Sequence, residues 1–233
     1  LMPLADIYNI KGLEDKDIDK ETRIQVATVQ GMVKRVLYND GEAVPAVTDY
    51  DLIIIDEISM VRADLLDAIG ADVIVTDDRE TIHAADKIIL PGVGAFEDAA
   101  RKLRESGMAA LLLETAKSGK PILGICLGMQ LLFEKSYEFG EHEGLGLIRG
   151  AVRPIADVVP KEYKIPQIGW NALHIKKKCP LFEDVCEGDH VYFVHSYYAA
   201  DCEEALLATT EYGAELTAAV ASGNVFGCQF HRE

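Results

Sequence analysis

From residue 51 to about 138, short apolar runs alternate with stretches of helical period. "DLIIID" (51–56), "ADVIVTD" (71–77), "KIILPG" (87–92) and "KPILGI" (120–125) have the length and β-branched content of buried strands. Between them, "RADLLDAIG" (62–70), "DRETIHAAD" (78–86), "AFEDAARKLRESG" (95–107) and "MAALLLETAKSG" (108–119) read as helices, and all but the second stop at glycine. "LGMQLLFEKSYE" (127–138) continues as a helix straight out of the last strand. This rhythm predicts a parallel sheet covered on both faces.

After about residue 145 the pattern shortens. "GLGLIRGAVRPI", "YKIPQIGWNALHI", "DHVYFVHSYYAA", "EALLATTEY", "ELTAAVASG" and "NVFGCQF" are strand-like and punctuated by Gly, Asn and Asp. They predict mainly antiparallel strands added to the parallel core, in one domain spanning 51–233. Residues 1–50 are charged, with one helical stretch (23–38) and a loop-like "NDGEAVPAVTDY". That segment is too short and polar for a core of its own and reads as an N-terminal appendage. The predicted class is α/β: doubly wound and flavodoxin-like, with a mainly parallel central sheet, added antiparallel strands and the appendage.

Composition narrows the partners. A formal net charge of −16 disfavours nucleic acid, whose binding is driven by Lys and Arg neutralising phosphates. The basic cluster "IKKKCP" (175–180) reads as a solvated turn. No apolar run approaches the ~20 residues that span a bilayer, and the first residues lack the basic and apolar blocks of a secretory leader. The five cysteines are odd in number and contain no Cys-x-x-Cys, which suits reduced thiols in a cytoplasmic protein and no zinc site.

The densest chemical signal is "PILGICLGMQ" (121–130), a strand running through Gly-x-Cys-x-Gly into a helix. Small flanking residues permit a strained turn that pushes Cys126 out at the carboxyl end of the strand. A helix N-terminus there favours the thiolate and offers backbone N–H groups to an oxyanion. A cysteine nucleophile needs a base and an orienting group, and "GCQFHRE" (227–233) supplies His231 and Glu233 after a strand. "PGVGAF" (91–96) ends another parallel strand with two glycines and can bring backbone N–H groups close to a carbonyl.

These stretches, with "GICLGMQLLFE", "IPQIGWN", "YFVHSYY", "TTEYG" and "FGCQFH", resemble the class I glutamine amidotransferases over roughly residues 70–233. Within that class they resemble the glutaminase subunits of imidazole glycerol phosphate synthase, of histidine biosynthesis. The resemblance implies a Cys126–His231–Glu233 triad that hydrolyses glutamine to glutamate and ammonia. It implies an oxyanion hole from the N–H groups of Val93 and Leu127, and glutamine held by Gly92, Gly94, Gln130, Glu138, Ser196 and Tyr197. It implies neither metal nor cofactor. It also implies a heterodimer with a (βα)8 cyclase subunit that receives the ammonia, and "IPQIGWN" corresponds to a partner-facing segment.

The chain departs from that family in two places. After its first strand the family reads Asp-Tyr-Gly-x-Gly-Asn, where this sequence has "DEISMV" (56–61). Near the end the family reads His-Pro-Glu-Lys-Ser and continues into a helix. This sequence reads His-Arg-Glu, which leads us to expect a loosely held Glu233 and apolar sheet surface left uncovered. Residues 1–56 resemble the motor region of type I restriction enzymes, and 52–69 the Mg²⁺-binding strand of a DNA helicase. A motor needs G-x-x-x-x-G-K-[ST]; "KSGKP" (117–121) lacks the upstream glycine, where Glu114 stands, and the hydroxyl residue. Asp56 and Glu57 therefore have no phosphate loop to serve. Besides the active glutaminase, two alternatives stay open: an amidotransferase fold, or chimera, that has lost turnover, and a nucleic-acid motor fragment.

Overall fold

The structure is a computed structural model that describes residues 76–182 and 185–230. The expected appendage, the strand at 51–56, the helix at 62–70 and most of the strand at 71–77 lie outside the described residues.

After helix α1 (Arg79–Ala84), the parallel core begins with strand β1 (Ile88–Leu90). Two helices, α2 (Phe96–Glu105) and α3 (Met108–Lys117), lead to β2 (Ile122–Ile125). Gly107 separates these helices at φ 74°, a left-handed geometry that costs a side-chain-bearing residue steric energy. α2 buries Phe96 and Ala100, and α3 buries Leu111, Leu112, Thr115 and Ala116. Every residue of β2 is buried, as its unbroken apolar run demands, and it pairs in parallel with β1.

Helix α4 (Leu127–Leu131) leaves β2 directly. Next come β3 (Phe133–Ser136), β4 (His142–Glu143), β5 (Ile148–Pro154), β6 (Gln167–Ala172) and β7 (His174–Ile175). The last strands are β8 (His190–His195), β9 (Tyr197–Ala200), β10 (Leu206–Glu211), β11 (Glu215–Ser222) and β12 (Val225–Cys228). The main sheet has the order β1-β2-β12-β11-β10-β7; a second runs β4-β3-β5-β9, and β6 with β8 forms a ribbon. The core between them holds Ile122, Met129, Leu132, Phe133, Ile148, Val152, Val220 and Val225.

The α/β class is as expected, with two differences in detail. "NVFGCQF", counted among mainly antiparallel additions, supplies β12, which lies parallel to β2. The main sheet is therefore parallel across β1, β2 and β12 and antiparallel from β12 through β11 and β10 to β7. Ser222 pairs with Val225, so Gly223 and Asn224 alone make the turn into β12. Asn224 Nδ2 then donates to the carbonyls of Ala116 and Lys120, fixing where β12 enters beside β2.

The second difference is the helix expected over 127–138. It stops after Leu131, and residues 133–136 form a strand. Carbonyls that a longer helix would have used internally accept from the returning chain instead. Leu145 N donates to Leu131 O (2.8 Å), Leu147 N to Leu132 O (2.9 Å) and Gly146 N to Phe133 O (3.0 Å). The approach requires glycine at 144, where a Cβ would lie 2.2 Å from Phe133 O. Among the described residues no helix is long and apolar enough to cross a membrane.

Gly144 and Gly146 make a paired test. Gly146 has φ +64° but open space around the position of a Cβ, so Gly146→Ala should cost about 1 kcal/mol of left-handed strain. Gly144→Ala must displace backbone and should cost more than about 2 kcal/mol. Urea denaturation of both variants measures this, and equal losses would refute the account of why the helix ends.

Candidate active site

The end of β2 is where the backbones crowd. Cys126 stands between β2 and α4 at φ 54° and ψ −115°, a conformation that costs a non-glycine residue about 1–3 kcal/mol. Its N–H donates to Cys228 O (2.8 Å), and its carbonyl accepts from Gln130 N (3.1 Å). Both glycines of the Gly-x-Cys-x-Gly pattern are required by close packing. A Cβ on Gly124 would lie 2.6 Å from Gly128 O, and one on Gly128 only 1.8 Å from Leu90 O. The first turn of α4 is thereby pressed against the end of β1 and the start of "PGVGAF".

That loop packs against the junction. A Cβ on Gly92 would lie 2.9 Å from Gly128 N and 3.0 Å from Leu127 Cβ. Gly94 holds φ +95°, and Val93 between them is 63% exposed. Leu127 is buried as the first residue of α4. Gly92 and Leu127, drawn from separate parts of the chain, thus meet beside the cysteine.

Several of the residues expected to hold glutamine are linked by hydrogen bonds. Gln130 is buried, and its Nε2 donates to Tyr197 O (3.3 Å) and to Gln229 Oε1 (2.8 Å). Glu138 Oε2 accepts from Phe96 N (2.5 Å) at the start of α2, tying Glu138 to the helix after "PGVGAF". Burial, and then the negative charge of Glu138, raise the Tyr197 phenol above its ordinary pKa, so its hydroxyl stays protonated. Ser196, between β8 and β9, has its carbonyl held by Ile155 N (2.9 Å). His231 and Glu233 lie outside the described residues.

Three polar groups were missed by the sequence reading. Gln229 is completely buried, and its Nε2 lies 3.6 Å from Cys126 Sγ. The signal was there: a glutamine closing the apolar run "VFGCQF" is a polar group that must find partners when buried. His195 is also buried, with Nδ1 2.7 Å from Tyr197 O and Nε2 2.9 Å from Gln167 Oε1, and so braces the Ser196–Tyr197 turn. Gln167 is fully buried in β6 and donates to Asn171 Oδ1 (3.0 Å).

A strained cysteine at a strand-to-helix junction, flanked by a glycine loop, defines a nucleophile elbow at the carboxyl end of a parallel sheet. The comparisons give the class: residues 58–233 match the family described as "Glutamine amidotransferase class-I". A solved structure titled "Crystal structure of glutamine amidotransferase" shares the fold, with a TM-score of 0.56 at 18% identity over 73% of this chain and 82% of that one. The "Imidazole glycerol phosphate synthase subunit HisH" of Wolinella succinogenes is 51% identical over 167 residues, 71% of this chain and 82% of that protein. The subunit of the same name from Oceanobacillus iheyensis is 48% identical over 169 residues, 72% of this chain and 82% of that protein. This chain belongs to the class I glutamine amidotransferases and, within them, to the HisH family.

A second thiol stands beside the elbow. Burial pushes the Cys228 thiol up to about 12, and negative charge at Cys126 adds to the shift. It is therefore a neutral packing group at physiological pH. Because the folded-state pKa lies above the unfolded one, the folded protein keeps a proton that the unfolded chain releases above about pH 9. Cys228 should thus contribute a loss of stability with rising pH between about 9 and 12, at up to about 1 kcal/mol per unit. Denaturation of wild type and Cys228→Ala across that range should show a shallower fall in the variant. Parallel curves would contradict a buried neutral thiol.

Proposed function

We propose that this chain is the glutaminase subunit of an imidazole glycerol phosphate synthase, supplying ammonia for histidine biosynthesis. One observation carries the catalytic reading: Cys126 is held in a strained junction against the loop that begins at Gly92. Strain of this kind persists only where the surrounding packing over-determines it.

The Cys126 thiolate attacks the side-chain amide carbon of glutamine, and the carbonyl becomes an oxyanion. The N–H groups of Leu127 and Val93 are the donors we assign to it. Gln130, Glu138, Ser196 and Tyr197, with the backbone at Gly92 and Gly94, hold the substrate. His231 protonates the departing nitrogen, ammonia leaves, and a γ-glutamyl thioester remains on Cys126. His231 then takes a proton from water, whose oxygen attacks the thioester; glutamate leaves and the thiolate returns. Glu233 orients the imidazole and offsets its charge. The geometry before His231 supports this assignment, because residue 229 already lies 3.6 Å from Cys126 Sγ.

The partner we assign is a (βα)8 cyclase subunit, bound as a heterodimer, that takes the ammonia to a phosphoribosyl-bearing intermediate. An apolar surface supports that assignment. Ile168 pairs with Val194 across the β6–β8 ribbon, and both side chains are exposed, at 60% and 41%. They lie within and opposite "IPQIGWN", the segment that resembles a partner-facing strand, and paired exposed aliphatics of this kind mark interfaces. Cys179, Cys202 and Cys228 are free thiols, in keeping with a cytoplasmic setting.

Glutamate release by the full chain with added cyclase subunit and its nucleotide substrate tests the reading. Cys126→Ala should lower the rate by about a thousandfold or more, since the attacking atom is gone. Equally slow release by wild type and variant would leave an amidotransferase fold without turnover.

A further inference from the structure

Among the described residues, Gln229 is a polar group within reach of Cys126 Sγ that the family reading leaves without a task. Its position is set from both sides. Its backbone N–H donates to Ala218 O (2.9 Å), and β12 runs parallel to β2 with Cys228 opposite Ile125, which brings the next residue alongside Cys126.

The orientation of its amide follows from the partners. Tyr197 O is a backbone carbonyl and only accepts, so the Gln130 group facing it at 3.3 Å must be the NH₂. The second hydrogen of that NH₂ points to Gln229, 2.8 Å away, so Gln229 presents its oxygen there. The Gln229 NH₂ is left facing Cys126 Sγ at 3.6 Å. A chain of donors anchored on an immovable carbonyl thus ends on the sulfur. The amide assignment is fixed by geometry and not by choice between two similar atoms.

We propose that Gln229 is a catalytic residue whose amide N–H donates to the Cys126 thiolate, with Gln130 locking that amide in the donating orientation. The proposal rests on the reading of Cys126 as the nucleophile. A thiolate accepts a hydrogen bond far better than a thiol, so a donor aimed at the sulfur favours the charged form. The donor side is buried, with Gln229 fully enclosed and Gln130 7% exposed, while Cys126 itself is half-buried, so the amide loses a partner it cannot readily replace with solvent if the sulfur is removed. It also links the substrate site to the nucleophile, because Gln130 is assigned both to glutamine and to the lock.

Among the described residues, the titratable groups facing the sulfur are Cys228 on β12, and Glu138 and Tyr197 past Gln130. Cys228 is silent below about pH 10, its thiol being pushed up to about 12.

The test is the pH dependence of Cys126 alkylation by iodoacetamide in the full chain, resolved by peptide mass spectrometry from the other four cysteines. Gln229→Met keeps the volume and removes the donor. Its alkylation midpoint should rise by about one unit, and its rate at the alkaline plateau by about threefold, because a more basic thiolate is more nucleophilic. A merely structural role would move neither in that coupled way. Gln130→Met leaves Gln229 in place but frees its amide, and should give a smaller rise of the same sign. Gln229→Glu places an acceptor against the sulfur and should give the largest; these two variants carry the test should Gln229→Met not fold. An unchanged midpoint in folded Gln229→Met, or in the other two if it does not fold, overturns the proposal. If the variants show the shifts but wild type releases no glutamate with the cyclase partner, the proposal stands and the glutaminase reading falls.

Discussion

Backbone packed against backbone at the end of β2 is the constraint on which the rest of this site depends. Gly124, Gly128 and Gly92 let β2, the first turn of α4 and the loop after β1 come closer than any side chain allows. With those approaches closed, Cys126 has no room for a relaxed conformation and is held at φ 54°. The strain is local, but the surrounding contacts that maintain it are long-range: Cys228 O bonds the Cys126 N–H from a strand about a hundred residues later. The geometry of Cys126 is therefore a property of the sheet, not of the five-residue motif.

Around that crowded point the polar groups are arranged by burial. Cys228 ends β12 and Gln229 follows it, yet burial makes the first an inert neutral thiol and gives the second an obligation to pair. The paired amides of Gln130 and Gln229 meet the obligation with each other and with Tyr197 O. His195 and Gln167 do the same beneath the Ser196–Tyr197 turn. The polar groups beside Cys126 are thus joined by a set of buried hydrogen bonds from α4, β6, β8, β9 and the residue after β12. Such a set specifies one arrangement, since each unpaired member would carry its full desolvation cost.

Much of this was legible along the chain. Alternating apolar runs and helical periods located α1 through β2, and the punctuated strands after residue 145 located β5 to β12, because each buries one face or both in a regular period. The elbow was legible because glycine spacing around a cysteine has few other uses. Two features were not. The helix expected through Tyr137 ends at Leu131, because Leu131, Leu132 and Phe133 carbonyls are taken by residues 145–148, which local propensity cannot register. Gln229 was passed over because a single polar residue in an apolar strand declares a need for partners but not who they are.

By itself the sequence determined the class of fold and singled out Cys126 and a set of polar residues as candidates, since period, glycine spacing and residue chemistry are local. It also disfavoured a nucleotide motor, because the phosphate loop is a contiguous motif and the only Gly-Lys in position, "KSGKP", lacks its other members. Only the tertiary structure decided that β12 lies parallel beside β2, that Asn224 fixes its entry, and that Gln229 consequently meets the sulfur of Cys126. Strand order and register are settled by non-local pairing and burial, which no window of sequence contains.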